Sequence, residues 1–271
     1  MIVNQNGSKA KLAPQIIQMF PRFDTLIVPF FGGGRLSYYV LEHTKCKYVI
    51  ANDINNDVYC FWMTVKFNTE RFLKEVNDIC IHSKLFEQWA GKTRRANFLE
   101  FISGMNEKDK MLWKAVRYFV LSNFTSRNTG CKTIVFHSTD AKNMLIKKID
   151  KCLSLISNTK FSNLDFKDFF YVIQWTRITK PCIYCDPPYI GTNLPDNQDN
   201  FKRQDLIDLI EILIKLDKPF FISENNSEEI RGIIKKYNLN YTVFQHMRVN
   251  KAVSELVMTN MPVYSRDLFA E

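Results

Sequence analysis

Asp24-Thr25-Leu26-Ile27-Val28-Pro29-Phe30-Phe31-Gly32-Gly33-Gly34 is an apolar run of strand length that stops on three consecutive glycines. A run this short, closed by glycine, reads as a buried strand rather than a helix. Leu36 to Leu41 then has helical character, and Tyr48-Val49-Ile50-Ala51 is a second buried strand ending at Asn52-Asp53. Strand, glycine turn, helix, strand is one βαβ unit, and such units build parallel sheets flanked by helices. Upstream, Leu12 to Phe20 carries apolar residues at helical spacing and is stopped by Pro21.

The α/β texture returns late in the chain. Pro181-Cys182-Ile183-Tyr184-Cys185 reads as a strand running into Asp186, and a polar loop spans Gly191 to Asn200. Leu206, Ile207, Leu209, Ile210, Leu213, Ile214 and Leu216 mark a helix, Pro219 to Ser223 the next strand, and Glu228 to Tyr237 another helix. Tyr241 to Arg248 and Glu255 to Asn260 read as two closing strands. The stretch between, from about Val58 to Leu155, is helical, aromatic and basic; Gly91, Gly104 and Gly130 are the only glycines between Gly34 and Gly191. The expected fold is therefore α/β, a Rossmann-like mixed sheet flanked by helices, with residues 1–56 and 155–271 forming the core domain and a helical insertion at 57–154.

Composition narrows the classes. The chain has 271 residues, 46% hydrophobic and 24% charged, which is enough for a core domain carrying an inserted one. It lacks an apolar run long enough to span a bilayer, and its first residues lack the zones of a secretory signal, so a cytoplasmic location is expected. Its seven cysteines are an odd number scattered through apolar surroundings, against a disulfide framework. Cys182-x-x-Cys185 has no second pair at zinc spacing, and neither a metal site nor a histidine site is assigned. Lys and Arg total 37 against 28 acidic residues, a formal charge of +9 that favours a polyanionic partner such as nucleic acid.

Two constellations carry chemistry. Asp186-Pro187-Pro188-Tyr189 follows a strand, where open α/β sheets place their ligand crevice. Consecutive prolines fix the backbone and remove two N–H donors, leaving carbonyls as acceptors. The Asp186 carboxylate and Pro187 carbonyl suit an aryl amine, whose lone pair they localise by accepting its hydrogens, and Tyr189 offers a stacking face for a base. The second constellation is the glycine turn: Gly32 and Gly34 permit close approach of a ligand to backbone. Asp53, 21 residues beyond Gly32, ends the second strand with a carboxylate placed for ribose hydroxyls. The spacing fits a dinucleotide fingerprint poorly, which disfavours a nicotinamide oxidoreductase.

Together these residues resemble the DNA adenine methyltransferase family of the D12 class, which pairs F-x-G-x-G with a later D-P-P-Y. Asn6-Gly7-Ser8-Lys9 is similar to the family's amino-terminal G-G-K segment, Asn163-Leu164-Asp165-Phe166 to its G-D-F segment, and Ser254 to Asn260 to its closing E-x-L-x-T-N strand. The resemblance implies a class I methyltransferase fold and S-adenosylmethionine as cofactor, bound by Lys9, Phe31, Gly32, Gly34, Asp53, Asp165, Phe166 and Asp186. It implies transfer to adenine N6 with Asp186, Pro187 and Tyr189 catalytic, and a helical target-recognition insertion. Gln5 stands where relatives carry an aromatic residue, and Thr133 to His137 departs from the stretch typical of GATC-reading members.

The expected partner is double-stranded DNA, approached by a monomer or weak dimer. Candidate contacts in the insertion are Lys92, Arg94, Arg95, Arg117, Arg127 and Lys132 for phosphates, with Ser126, Arg127, Asn128 and Thr129 in a polar projecting loop for base edges. The alternatives are methylation of cytosine N4 or of RNA adenine, which the same acceptor geometry would suit, and a DNA-binding subunit that has lost catalysis.

Overall fold

The computed structural model describes residues 9, 11–81, 92–124, 146–150, 152, 153, 156–191, 201–248 and 251–262. Among them lies a seven-stranded mixed sheet: β1 (Thr25–Val28), β2 (Tyr48–Asn52), β3 (Thr159–Ser162), β4 (Pro181–Cys185), β5 (Phe220–Asn225), β6 (Asn240–Arg248) and β7 (Lys251–Thr259). The strand order is β3-β2-β1-β4-β5-β7-β6. β1 to β5 run parallel, whereas β7 is antiparallel to both β5 and β6. The chain winds outward from β1 through β2 to β3, then restarts on the other side of β1 with β4. That reversal opens a crevice at the carboxyl ends of β1 and β4.

Alternation along the strands fills two cores, because successive side chains face opposite sides of a sheet. Leu26, Val28, Cys182, Tyr184, Phe221 and Val257 face one side, whereas Ile27, Ile183, Cys185, Phe220, Ile222, Leu256 and Met258 face the other. Cys182 and Cys185, three residues apart on β4, thus lie on opposite faces, and burial pushes both thiols up.

The first side is covered by α1 (Ala13–Ile17), α2 (Arg35–His43), α3 (Asn56–Phe67), α4 (Thr69–Ile81), α5 (Lys92–Ser103) and α6 (Glu107–Phe124). The second is covered by α7 (Phe166–Val172), α8 (Arg203–Leu216) and α9 (Glu228–Lys236). Side chains of Asn55, Asp165 and Ser227 cap the amino ends of α3, α7 and α9 by accepting backbone N–H bonds. Helices α3 to α6, from the stretch expected to form an insertion, share one continuous core with the sheet: Phe61, Trp62, Phe72, Phe98 and Phe119 belong to the cluster of Leu26 and Val49. None of the described helices is long and apolar enough to cross a membrane.

Two elements differ from the sequence reading. β3 carries no strand signal of its own, because Thr159-Lys160-Phe161-Ser162 has no apolar run; it forms by pairing in parallel with β2. α1 is only five residues long, with Pro14 in its first turn and Gln18 closing it, whereas the apolar pattern pointed to a helix reaching Phe20.

Candidate active site

Three strand ends supply the site. After β1, the turn Phe30 to Gly34 brings the chain back into α2 with Gly32 at φ 50° and Gly34 at φ 65°. Only glycine adopts this conformation at little cost. A Cβ on Gly34 would also lie 2.7 Å from the ring of Phe31 and 3.0 Å from that of Trp62. The glycine is thus demanded by the protein's own packing. Trp62, on α3, donates from Nε1 to the Gly32 carbonyl at 2.8 Å and meets the Phe31 ring edge-on at 5.1 Å.

At the end of β2, Asp53 accepts from Gly32 N at 2.7 Å through one oxygen and from Asn55 N at 2.9 Å through the other. Its burial in the crevice pushes the carboxyl up to about 6, a rise that the two backbone bonds oppose. Asn52, fully buried beside it, donates to the carbonyls of Pro29 (3.1 Å) and Leu164 (2.9 Å) and accepts from Leu164 N (3.0 Å). One side chain therefore ties the end of β1 to the segment after β3. Asn163 donates to the carbonyls of Asp53 and Ile54 at 2.7 and 3.0 Å, which brings 163–166 alongside the end of β2. Asp165 caps α7 by accepting from Lys167 N at 2.9 Å. Phe166 is buried against Phe30 and Phe201, with ring centroids 5.7 and 6.1 Å away.

At the end of β4, the Asp186 carboxylate stands 3.0 Å from the Lys9 ammonium. Lys9 is 4% exposed and also donates to Glu255 at 2.9 Å and to the Tyr189 hydroxyl. Tyr189 in turn donates to Glu255 at 3.0 Å. Burial raises the Asp186 carboxyl above its ordinary range, and the Lys9 ammonium only partly offsets this. For Lys9 the balance is reversed. Burial alone would lower its pKa, but Asp186 and Glu255 together more than compensate and hold it raised. Tyr189 is pushed well up by burial and by both carboxylates, so it stays a neutral phenol.

Beneath the loop, the buried Glu224 of β5 accepts from Ile190 N at 2.8 Å and from Asn225 N at 2.5 Å, while Asn225 donates back to the Ile190 carbonyl at 3.2 Å. Because Pro187 and Pro188 carry no N–H, Ile190 is where the loop is tied down. Burial pushes Glu224 up to about 7.

The structure thus brings Lys9, Asp186, Pro187 and Tyr189 together at one strand end, and Phe31, Gly32, Gly34, Asp53, Asp165 and Phe166 around the neighbouring ones. Glu255, Glu224, Asn52 and Trp62 were not singled out from the sequence; only Glu255, inside the quoted E-x-L-x-T-N segment, carried a signal. Of the expected DNA contacts, Ser126, Arg127, Asn128, Thr129 and Lys132 lie outside the described residues. Lys92, Arg94 and Arg95 fall on α5. Arg117 is turned inward: its side chain is 12% exposed, 3.4 Å from Asp57, and its guanidinium lies 5.0 Å from the Phe98 ring centroid. In this conformation it braces α6 against α3.

The residues fit an adenosyl sulfonium ligand. Asp53 retains lone pairs for ribose hydroxyls, Ile54 beside it is 66% exposed and offers an apolar face, and Asp186 and Glu255 against Lys9 leave one formal negative charge to meet a sulfonium. A seven-stranded sheet in this order with an antiparallel β7, its switch-point crevice lined in this way, defines a class I S-adenosylmethionine-dependent methyltransferase. More narrowly, residues 6–253 match the model of the D12 class N6 adenine-specific DNA methyltransferases, and the chain belongs to that family.

Among curated relatives, it is 24% identical to the type II methyltransferase M.MjaIII of Methanocaldococcus jannaschii, over 78% of each chain. It is 24% identical to the type II methyltransferase M.FokI of Planomicrobium okeanokoites over 97% of this chain, and 27% identical to the modification methylase StsI of Streptococcus sanguinis over 70% of it. The aligned parts are 43% and 28% of those longer proteins, so this chain corresponds to less than half of either. A solved rRNA methylase from Streptococcus thermophilus is also similar, at 9% identity and a TM-score of 0.38 over 92% of this chain and 93% of that one, too remote to argue from.

Proposed function

We propose that this chain methylates adenine N6 at specific sites in double-stranded DNA, with Asp186, Pro187 and Tyr189 holding the target base. The observation that carries the reading is the Asp186 carboxylate at the switch-point end of β4, beside Tyr189 and across from the glycine turn. S-adenosylmethionine, when bound, supplies an electrophilic methyl group on sulfur.

The chain's own residues supply position and electrostatics. Asp53 takes the ribose hydroxyls, the Gly32 to Gly34 turn lets the ligand approach the backbone, and Asp165 and Phe166 line the adenine side. Asp186 and the Pro187 carbonyl accept the two hydrogens of the target amine, which turns its lone pair out of conjugation with the ring. Tyr189, neutral and tied to Glu255, presents its ring to a base taken out of the duplex. Lys9 lies at the junction of these groups, in contact with Asp186.

We assign target reading to the helical stretch 57–154, with Lys92, Arg94, Arg95 and Lys132 as phosphate contacts and Ser126, Arg127 and Asn128 as base-edge contacts. The basic balance of the chain and the polar 123–132 segment support this assignment.

The test is incubation with methyl-labelled S-adenosylmethionine and, separately, duplex DNA and RNA, followed by nucleoside analysis and sequencing of the modified sites. N6-methyladenine at a defined sequence in DNA is expected. Label on cytosine N4 or only in RNA would replace the substrate assignment, and absence of label with DNA binding retained would mark a non-catalytic subunit.

A further inference from the structure

In this structure one oxygen of the acceptor that the target amine needs, Asp186 Oδ1, is already held by another donor. Lys9 Nζ lies 3.0 Å from Asp186 and 2.9 Å from Glu255, almost wholly buried. A neutral amine brings one charge fewer to the bond than an ammonium does, so it is the weaker competitor for the oxygen that Lys9 holds. A buried ammonium, in turn, cannot simply be left unpaired. Glu255 resolves both difficulties.

We propose that Glu255 is a positioning residue that retains the Lys9 ammonium when the target amine claims Asp186. The proposal rests on the reading of Asp186 as the holder of that amine. Glu255 is 5% exposed and fixed in the middle of β7, opposite Asn225 of β5 and Phe244 of β6, so its carboxylate does not move with the base. Lys9, by contrast, is a compact charge on a flexible four-carbon stem. Its other contacts, to Glu255 and to the Tyr189 hydroxyl, persist when the bond to Asp186 is given up. The same Glu255 oxygen accepts from Tyr189, so the ring that receives the base and the charge that vacates Asp186 share one anchor. His246 of β6 stands 3.7 Å from the second Glu255 oxygen and closes the cluster on its outer side.

The discriminating measurement is equilibrium DNA binding, by fluorescence anisotropy with S-adenosylhomocysteine at saturation. Two duplexes carry the site mapped with the wild-type enzyme: one has adenine at the methylated position, the other unsubstituted purine, which lacks the amine. Purine also pairs more weakly with thymine and flips at lower cost, but that difference belongs to the DNA and cancels when the ratio of Kd values is compared between variants. In Glu255→Gln, which keeps an acceptor for Tyr189 but loses the charge, the preference for adenine is expected to fall about tenfold, the size of a charge-assisted hydrogen bond. Adding Lys9→Met to that variant removes the competing ammonium and is expected to restore the preference at the alkaline end of a pH series, where Asp186 is ionised without the cation that opposes its burial. An unchanged ratio in Glu255→Gln, or no recovery in the double variant, would overturn the proposal. Glu255→Asp, which keeps the charge but withdraws it from Lys9, is expected to act in the same direction and stands in if Glu255→Gln does not fold. If the wild-type enzyme transfers no methyl to adenine, the assignment of Asp186 fails first. Transfer with no change of ratio sinks only the role of Glu255.

Discussion

Trp62, on the first helix after β2, donates its indole hydrogen to the carbonyl of Gly32 at 2.8 Å, in the middle of the glycine turn. A helix that opens the basic stretch thereby braces the backbone on which the cofactor is proposed to rest. Trp62→Phe keeps an aromatic ring beside Phe31 and Phe161 but removes that bond together with part of a buried ring system. Loss of the bond is expected to weaken S-adenosylmethionine binding about three- to tenfold, the worth of one hydrogen bond, with a lower melting temperature from the smaller buried ring. Titration calorimetry on the two proteins is the check.

Asp53 gives cofactor binding a pH dependence. Its carboxyl is pushed up to about 6 by burial, and its charged form is the better acceptor for ribose hydroxyls. Protonation sets in as pH falls through about 6, so affinity for S-adenosylmethionine is expected to drop there by up to about tenfold per pH unit and to be level above pH 7. Asp53→Asn should bind weakly at every pH, without that limb. Calorimetry from about pH 5 to 8 measures both curves.

Glu224 affects stability in the opposite direction. Its carboxyl rises from the ordinary 4.5 to about 7 in the folded protein because burial disfavours the charge. Between those values the folded state binds more protons than the unfolded one, so folding free energy is lost as pH rises across the window. Glu224→Gln cannot ionise. Relative to that variant, the wild-type protein is expected to lose up to about 3 kcal/mol between about pH 4 and 8. Denaturant unfolding of the two proteins at both pH values measures the difference.

Much of this architecture could be read from local pattern, because β1, β2 and β4 are apolar runs closed by glycine or by a polar strand end. Asp186 and Asp53 were legible for the same reason: each ends such a run. β3 was not, since four residues with a lysine and a terminal serine acquire their strand character only from pairing with β2. The partners of the site were hidden for a related reason. Lys9 and Glu255 are 246 residues apart, and no periodicity joins them before the sheet is assembled. Glu224 and Asn52 look like ordinary strand-end polar residues until their backbone partners are known. For Arg117 the sequence shows the charge alone; its pairing with Asp57 emerges only when α6 packs on α3.

Asp186 carries the proposed chemistry, and replacing it with alanine tests that most directly. Wild-type protein and Asp186→Ala, matched for folding by circular dichroism and for DNA binding by anisotropy, are incubated with methyl-labelled S-adenosylmethionine and duplex DNA. Label in N6-methyladenine is expected from the wild type, and a fall of about a hundred- to a thousandfold from the variant, the scale on which loss of a transition-state donor or acceptor acts. Transfer by Asp186→Ala at the wild-type rate would contradict the assignment.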